Sequence, residues 1–309
     1  MHEEGYTFHC LYHFPILHPG GCFYDILARF HDQSGHISHR NTSLELFGKC
    51  PDLRPSVILP YRAQMICHWL GPESNISPEE LRDHYSAWQY LHLYSAFSNR
   101  SLEPIFQAET RPGRKRQSEM IRSVCSGLTH LHFCPLCLII DFLTEKEPYW
   151  HQVHQIYGVK YCPQHEVPLI NSTVTIERRL MRYITLSSLF PDENLIGQAN
   201  RCITHPTDPY RHAYLRLART IDLLLCRGKE LGTGEKLERR YLDAIAPETQ
   251  SLQRKQITTI MAGFAGMAFL EDLYRQDLDD RLNMIERKGL RSMSPLDHAL
   301  VIAAIGDVF

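Results

Sequence analysis

The chain has 309 residues and a mass of 35.9 kDa, with 43% apolar and 22% charged residues. This is the composition of a globular protein of about two domains, and it excludes a disordered or fibrous protein. Thirty-three lysines and arginines oppose 35 aspartates and glutamates, for a formal net charge of -2. No global basic field therefore attracts nucleic acid, and any such binding must be local.

Membrane and secretion signals are missing from the sequence. The longest apolar stretches, such as 300–305, are far shorter than the roughly 20 residues of a membrane span. The N-terminal residues Met1-His2-Glu3-Glu4 lack the basic and apolar regions of a signal peptide. We therefore expect a cytosolic protein. Ten cysteines are too sparse for a disulfide scaffold in a chain of this length, and the cytosol would keep them reduced.

Helical patterns dominate the first hundred residues. Apolar residues recur at positions 23, 26, 27 and 30, which places them on one face of a helix. Shorter helices are predicted over 42–47, ended by Gly48, and over 62–70, ended by Gly71. A further helix is predicted from Ser77-Pro78 toward Tyr85 because serine, proline and two glutamates form a capping pattern. These helices could include a helix-turn-helix, although no residue identifies its recognition helix.

Two clusters of cations are candidates for contact with DNA phosphates. The first combines turn residues with four cations, which suits a loop or a helix start that faces solvent or phosphate. A charge run is more often a solvated surface, so both interpretations stay open. The DNA-binding candidates are Arg111, Arg114, Lys115 and Arg116 in the first cluster, and Arg178, Arg179 and Arg182 in the second.

Two ligand pairs distinguish residues 132–170. Cys134 and Cys137 form the first pair and Cys162 and His165 the second, each with two residues between the ligands. Zinc prefers four tetrahedral thiolate and imidazole donors, and a two-residue spacer lets a tight turn direct both side chains at one ion. Coincidence among ten cysteines is the alternative, and two such pairs together make it improbable. The spacing predicts one structural Zn²⁺, because four protein ligands leave no open position to activate water.

Other motifs do not point to catalysis. His151 and His154 lack the spacing and the glutamate of a catalytic zinc site, and we expect one to pack beside the metal and the other to be exposed. The stretch from Gly228 to Lys236 lacks the Lys-Ser/Thr end of a phosphate loop, so it is interpreted as a turn that ends a helix. We expect no enzyme. The remaining cysteines are predicted to be isolated core or near-surface thiols: Cys10, Cys22, Cys50, Cys67, Cys125, Cys202 and Cys226.

Helical patterns resume after the cysteine-rich region. An apolar stripe runs from Tyr214 to Leu225 and ends before Gly228. Further helices are predicted around 250–274, with Gly263 and Gly266 marking a break or close packing, around 278–288, and from Ser294 to Ile305. The fold class is therefore mainly α. We predict an N-terminal helical domain over 1–130, a zinc-finger module over 131–170 and a C-terminal helical domain over 171–309.

The zinc pairs and their neighbours resemble the zinc-finger core of the TniQ/TnsD family. The resemblance rests on 133–137, on the aromatic and histidine stretch 149–159, and on 161–169. Residues 23–31 resemble the first helix of that family, and 295–302 resemble a motif of its longer TnsD-like members. The chain departs from the family pattern at 18–22, where an acidic residue is common, and it stops soon after 302. We therefore expect a short member or a truncated chain.

This resemblance implies a target-selection adaptor of cut-and-paste transposons that is not itself a nuclease. Such an adaptor recognises a destination and recruits the AAA+ ATPase regulator of the transposon, a TnsC-like protein, in the bacterial cytosol at the nucleoid. Some members of the family bind target DNA directly, and others dock onto a CRISPR RNA-guided complex. For a pure docking module, exposed aromatic residues should carry the interface. The candidates are Trp88, Tyr90 and Tyr94, although aromatic residues at this density more often fill a core.

Overall fold

The structure is a computed structural model of the whole chain. It describes residue 11 and residues 13–48, 56–60, 62–98, 128–176, 182–190, 194–204, 207–232, 234–245 and 253–306.

The described part of the chain is mainly helical, as predicted, with one small sheet. The sheet pairs β1 (His130–Phe133) with β2 (Ile170–Thr175) in antiparallel orientation, so that Phe133 lies opposite Ile170. The helices, in chain order, are α1 (Phe23–Ser34), α2 (His39–Phe47), α3 (Ala63–Leu70), α4 (Pro78–His84), α5 (Trp88–Ser98), α6 (Pro135–Thr144), α7 (Leu195–Cys202), α8 (Arg211–Arg227), α9 (Gly234–Ile245), α10 (Arg254–Ala265), α11 (Met267–Tyr274), α12 (Leu278–Lys288) and α13 (Pro295–Ile305).

Local signals set the ends of the helices that the sequence predicts. α1 ends at Gly35, whose φ of 68° is the left-handed conformation that glycine adopts without strain. α13 begins with a capping box, because the Ser294 hydroxyl accepts from the Asp297 amide and the Asp297 carboxylate accepts from the Ser294 amide. The predicted break is confirmed at Gly266, which separates α10 from α11, whereas Gly263 lies inside α10.

Several elements have no sequence prediction behind them. They are α5, α6, α7, α9 and the two strands. The burial of Trp88, Tyr90, Leu91 and Leu93 explains why α5 shows no amphipathic pattern, since it is covered on several sides.

The stretch that resembles a phosphate loop has a packing role. Residues 228–231 form a 3₁₀ turn after α8, which confirms the predicted helix-ending turn. A Cβ at Gly228 would lie 2.2 Å from the Gln89 carbonyl oxygen, and one at Gly234 would lie 2.4 Å from the Ala96 carbonyl oxygen. The two glycines therefore let the backbone approach α5 closely.

One continuous apolar core joins the N-terminal helices, the cysteine-rich module and the C-terminal helices. α8 contacts both α5 and α13 within this core. The three-domain division stays a prediction, as does a helix-turn-helix among the first helices. No helix in the described ranges is long and apolar enough to cross a membrane.

Candidate metal centre

Strand β1 leads directly into the first ligand pair. Cys134 is the N-cap of α6, and its Sγ accepts a hydrogen bond from the Cys137 amide at 3.4 Å. Pro135 occupies the first helical position, where its missing amide hydrogen costs nothing. The start of α6 therefore places the thiols of Cys134 and Cys137, which are three residues apart, on the same side of the helix.

A second tight turn supplies the other two ligands. The Cys162 amide donates to the Val167 carbonyl, and the Glu166 amide donates to the Cys162 carbonyl, both at 2.9 Å. Glu166 has a φ of 57°, which closes this turn through the left-handed conformation. Cys162 and His165 thereby come to face the first pair.

The four donor atoms form a compact group in which every pair lies within 4.8 Å. The His165 Nδ1 atom is 3.2 Å from the Cys137 Sγ and 3.6 Å from the sulfurs of Cys134 and Cys162, and the Cys137 and Cys162 sulfurs are 3.7 Å apart. With bonds of about 2.3 Å to sulfur and about 2.0 Å to nitrogen, a zinc tetrahedron has edges of about 3.8 Å between sulfurs and about 3.5 Å between sulfur and nitrogen. The group has the size of one metal site.

Burial and thiol chemistry also fit a cation at this position. All three cysteines are buried and His165 is partly buried. Hydrogen bonds with the thiols of Cys134 and Cys162, followed by burial, raise the pKa of Cys137. Three adjacent thiolates need a positive charge to be stable, and a divalent cation supplies it by displacing the protons. The group could therefore bind one metal ion.

The two nearby histidines differ from the prediction in one respect. His154 is buried beside the cluster, as expected, with its Nε2 atom 4.0 Å from the Cys137 Sγ. The expectation that the other histidine is exposed was wrong. The His151 Nε2 atom lies 2.8 Å from the Asp141 carboxylate, and its ring stacks on Tyr149, so that only 11% of the side chain is accessible.

A buried ion pair connects α1 to residues 131–170, which we call the metal module. The Asp25 carboxylate accepts from the Arg29 Nε at 2.7 Å and from the Trp150 amide at 2.8 Å. The Cys22 amide donates to the Trp150 carbonyl at 2.9 Å. Burial raises the pKa of Asp25, and the Arg29 guanidinium opposes that shift. Sequence analysis missed this pair, although an aspartate and an arginine four residues apart in an apolar helix are its signal.

Contacts on the other side connect the module to the C-terminal helices. Arg211 and Arg219, both in α8, bind the Glu166 carboxylate next to the second ligand pair. The Lys160 ammonium group is 2.6 Å from the Asp272 carboxylate, and the Tyr157 hydroxyl donates to the Leu273 carbonyl. The metal module therefore lies between the N-terminal helices and the C-terminal helices and contacts both.

Of the DNA-binding candidates, the structure describes Arg182. Its side chain is exposed and forms no ion pair with any residue in the described ranges, while its carbonyl accepts from the Tyr24 hydroxyl. The other six candidates lie outside the described residues: Arg111, Arg114, Lys115, Arg116, Arg178 and Arg179.

The aromatic docking candidates require a correction. Trp88 and Tyr90 are buried in the core, 5% and 0% exposed, because α5 packs against α8 and α13, so their rings are not available to a partner. Tyr94 lies in the same helix, and its side chain is outside the described part. Of the remaining cysteines, Cys22 is buried, Cys67 and Cys202 are partly buried and Cys226 is exposed, while Cys10, Cys50 and Cys125 lie outside the described residues.

Comparison with known proteins finds a match to one family model. The TniQ family model matches residues 13–169, just over half of the chain, from the segment before α1 to the end of the metal-binding turn. No curated protein matches the sequence. The family match associates the chain with transposition. The region that carries the four donors and the buried ion pair is thus the region that defines the family, and the chain belongs to the TniQ family.

Proposed function

We propose that this TniQ-family protein is a target-selection adaptor of a cut-and-paste transposon. In this role it recognises target DNA, a targeting complex such as a CRISPR RNA-guided effector, or both, and it recruits the transposon's TnsC-like AAA+ ATPase. The observation that carries the proposal is the family match over 13–169. The docking-only alternative loses support, because Trp88 and Tyr90, two of its candidate residues, are buried.

In this proposal the metal module has a structural role and not a catalytic one. We propose that Cys134, Cys137, Cys162 and His165 hold one structural Zn²⁺, which the donor set and the edge lengths support. Four protein donors complete a tetrahedral shell, so the bound ion supplies folding free energy and no activated water. We therefore propose that the adaptor is not an enzyme and that the transposase cleaves the DNA.

Direct DNA contact is the second part of the proposal. We propose phosphate contacts by Arg182, together with Arg178 and Arg179 from the same segment and the cluster formed by Arg111, Arg114, Lys115 and Arg116. The exposed Arg182 side chain supports this, since it forms no ion pair with a described residue and is available to a phosphate. The site of action would be the bacterial cytosol at the nucleoid.

The adaptor role is tested by co-expressing the full chain with its transposon's AAA+ ATPase and capturing the chain through an affinity tag in the presence of ATP. We expect the ATPase to be retained, and an unrelated AAA+ protein of the same host to be lost in the wash. Insertion sites are then sequenced in cells with and without the chain. Loss of the preferred insertion site without the chain supports target selection. An unchanged insertion profile together with no capture of the ATPase contradicts the proposal.

A further inference from the structure

A second basic surface lies in the C-terminal helices, outside the family match. It is formed by Arg254 and Lys255 at the start of α10, by Arg287 and Lys288 at the end of α12, and by Arg291 in the following turn. All five side chains are exposed. We call this group the C-terminal basic surface.

Packing between α10 and α12 brings the five residues together although they are separated by more than thirty positions in the chain. Arg254 donates through Nη1 to the Arg287 carbonyl. A Cβ at Gly289 would lie 3.6 Å from the Arg254 Cγ, so the arginine stem rests on the turn that ends α12. The Thr258 hydroxyl, one turn further along α10, donates to the Glu286 carboxylate at 3.2 Å. The surface is thus a defined part of the helix packing.

The local charge contrasts with its surroundings. Residues 241–309 carry seven lysines and arginines against ten aspartates and glutamates, and five of the seven cations belong to this surface. Within 253–258 and 284–292, Glu286 is the one acidic residue against those five cations. None of the five forms an ion pair with a residue in the described ranges, whereas Arg211 and Arg219 are paired with Glu166.

Helix electrostatics explain only part of this arrangement. Arg287 and Lys288 lie in the last turn of α12, where positive charge stabilises the helix. Arg254 and Lys255 lie in the first turn of α10, which contains no acidic residue and where positive charge is unfavourable. Arg254 is compensated in part by the Arg287 carbonyl, but Lys255 has no ion pair with a described residue and lies at a position that disfavours its charge, next to four other cations. This arrangement favours a negatively charged ligand.

We infer that the C-terminal basic surface binds the phosphate backbone of duplex DNA. The inference rests on the proposed function for its ligand class, but it concerns residues that neither the motifs nor the family match identifies. Protein interfaces use apolar and aromatic anchors, and the one exposed apolar side chain in 253–258 and 284–292, all of which the structure describes, is Met284. Arginine and lysine contacts to phosphates position a protein on DNA without reading its sequence.

The test compares two double variants of the full, zinc-loaded chain. The first is Lys255→Gln with Arg291→Gln, and it leaves Arg254 and its packing on Gly289 in place. The matched control is Arg201→Gln with Arg239→Gln, which removes two exposed arginines of α7 and α9 that form no ion pair with a described residue. Each variant loses two positive charges. Removing Lys255 from a helix start should not weaken folding, and thermal unfolding of each variant checks this.

Binding is measured by fluorescence anisotropy with a random duplex of about 30 base pairs at salt concentrations from about 50 to 200 mM. Each lost phosphate contact should reduce the slope of log affinity against log salt by about 0.9. We expect the surface variant to lose about 1.8 in slope and about tenfold or more in affinity at low salt, and the control to bind like the wild type.

Several results would overturn the inference. In the first, the wild type does not bind DNA at all, or the surface variant binds it with unchanged affinity. In the second, the two variants lose the same affinity for DNA. In the third, a polyglutamate peptide binds the wild type as tightly as the duplex does. Capture of the AAA+ ATPase by the surface variant separates this inference from the adaptor proposal. Normal capture with weakened DNA binding supports both, and failed capture by the wild type contradicts the adaptor role while the DNA measurement still decides the surface.

Discussion

The metal module and the C-terminal helices both contribute residues to the buried core, but different interactions hold them together. In the module, short irregular elements surround four donor atoms, and the Asp25–Arg29 pair and the Glu166 ion pairs connect it to its neighbours. In the C-terminal part, long helices such as α8 bury apolar stripes against one another. Stability is therefore concentrated in a few side chains of the module and spread over many in the helices. Single substitutions should separate the two regions.

The largest effect is expected from Cys162→Ser. Structural zinc contributes on the order of 10 kcal/mol in small zinc modules, which is comparable to the whole stability of a domain at about 5–15 kcal/mol. The variant should lose its metal, and the module should unfold, as measured by metal analysis and limited proteolysis. Cys226→Ser, which changes an exposed thiol in α8, is the matched control and should keep both. A folded Cys162→Ser chain that retains the metal contradicts the ligand assignment.

A smaller effect is expected where the module meets α1. Asp25→Ala leaves the buried Arg29 without its closest carboxylate, although Glu147 remains 3.5 Å from the Nη1 atom. Breaking a buried pair in this way costs about 3–5 kcal/mol. Urea unfolding should therefore show a clear loss, whereas Asp32→Ala on the exposed side of the same helix should change the free energy of unfolding by less than about 0.5 kcal/mol. Equal effects of the two substitutions would contradict the role of the ion pair.

Close backbone packing gives a prediction for the C-terminal region. Gly228→Ala places a Cβ 2.2 Å from the Gln89 carbonyl oxygen, which the backbone has to relieve by moving. We expect a cost of about 1–3 kcal/mol. Gly263→Ala is the control, since no atom of the described residues lies within 4 Å of its Cβ position in α10, and it should stabilise the chain by about 0.5–1 kcal/mol. Chemical denaturation of both variants measures the difference, and a tolerated Gly228→Ala would contradict the close approach.

The C-terminal core should also show a pH dependence, of a size similar to the effect of Gly228→Ala. Burial lowers the pKa of His298 to about 4, and its Nδ1 lies 3.0 Å from the Tyr241 hydroxyl. Because the folded pKa lies below the unfolded value of about 6.5, the contribution is complete above pH 6.5 and is lost as pH falls toward 4. Between pH 7 and pH 5, the free energy of unfolding of the wild type should fall by about 2 kcal/mol more than that of His298→Gln. Parallel pH profiles of the two chains would contradict this prediction.

Sequence reasoning was most informative where signals are local. The helices over 278–288 and from Pro295 to Ile305 have the predicted bounds, because their caps and apolar spacing lie within the helices themselves. The spacing of the four donors predicted which residues would come together, because two short turns determine each pair. Fold class and family could therefore be predicted from motifs alone.

Features that depend on tertiary packing were missed or wrong. The sequence left Trp88 and Tyr90 open as docking residues or as core residues, and the packing of α8 and α13 over them places them in the core. His151 lost its expected exposure because Asp141, ten residues away, binds it. The C-terminal basic surface could not be predicted from the sequence for the same reason. The start of α10 and the end of α12 meet only in the folded chain.

We propose that Cys134, Cys137, Cys162 and His165 form a closed structural zinc site. X-ray absorption at the zinc edge of the purified chain tests it most directly, together with the metal content. We expect one zinc per chain, with three sulfur neighbours at about 2.3 Å and one nitrogen at about 2.0 Å. A metal-free folded chain, or a zinc with an oxygen neighbour in place of one of these donors, would contradict the claim.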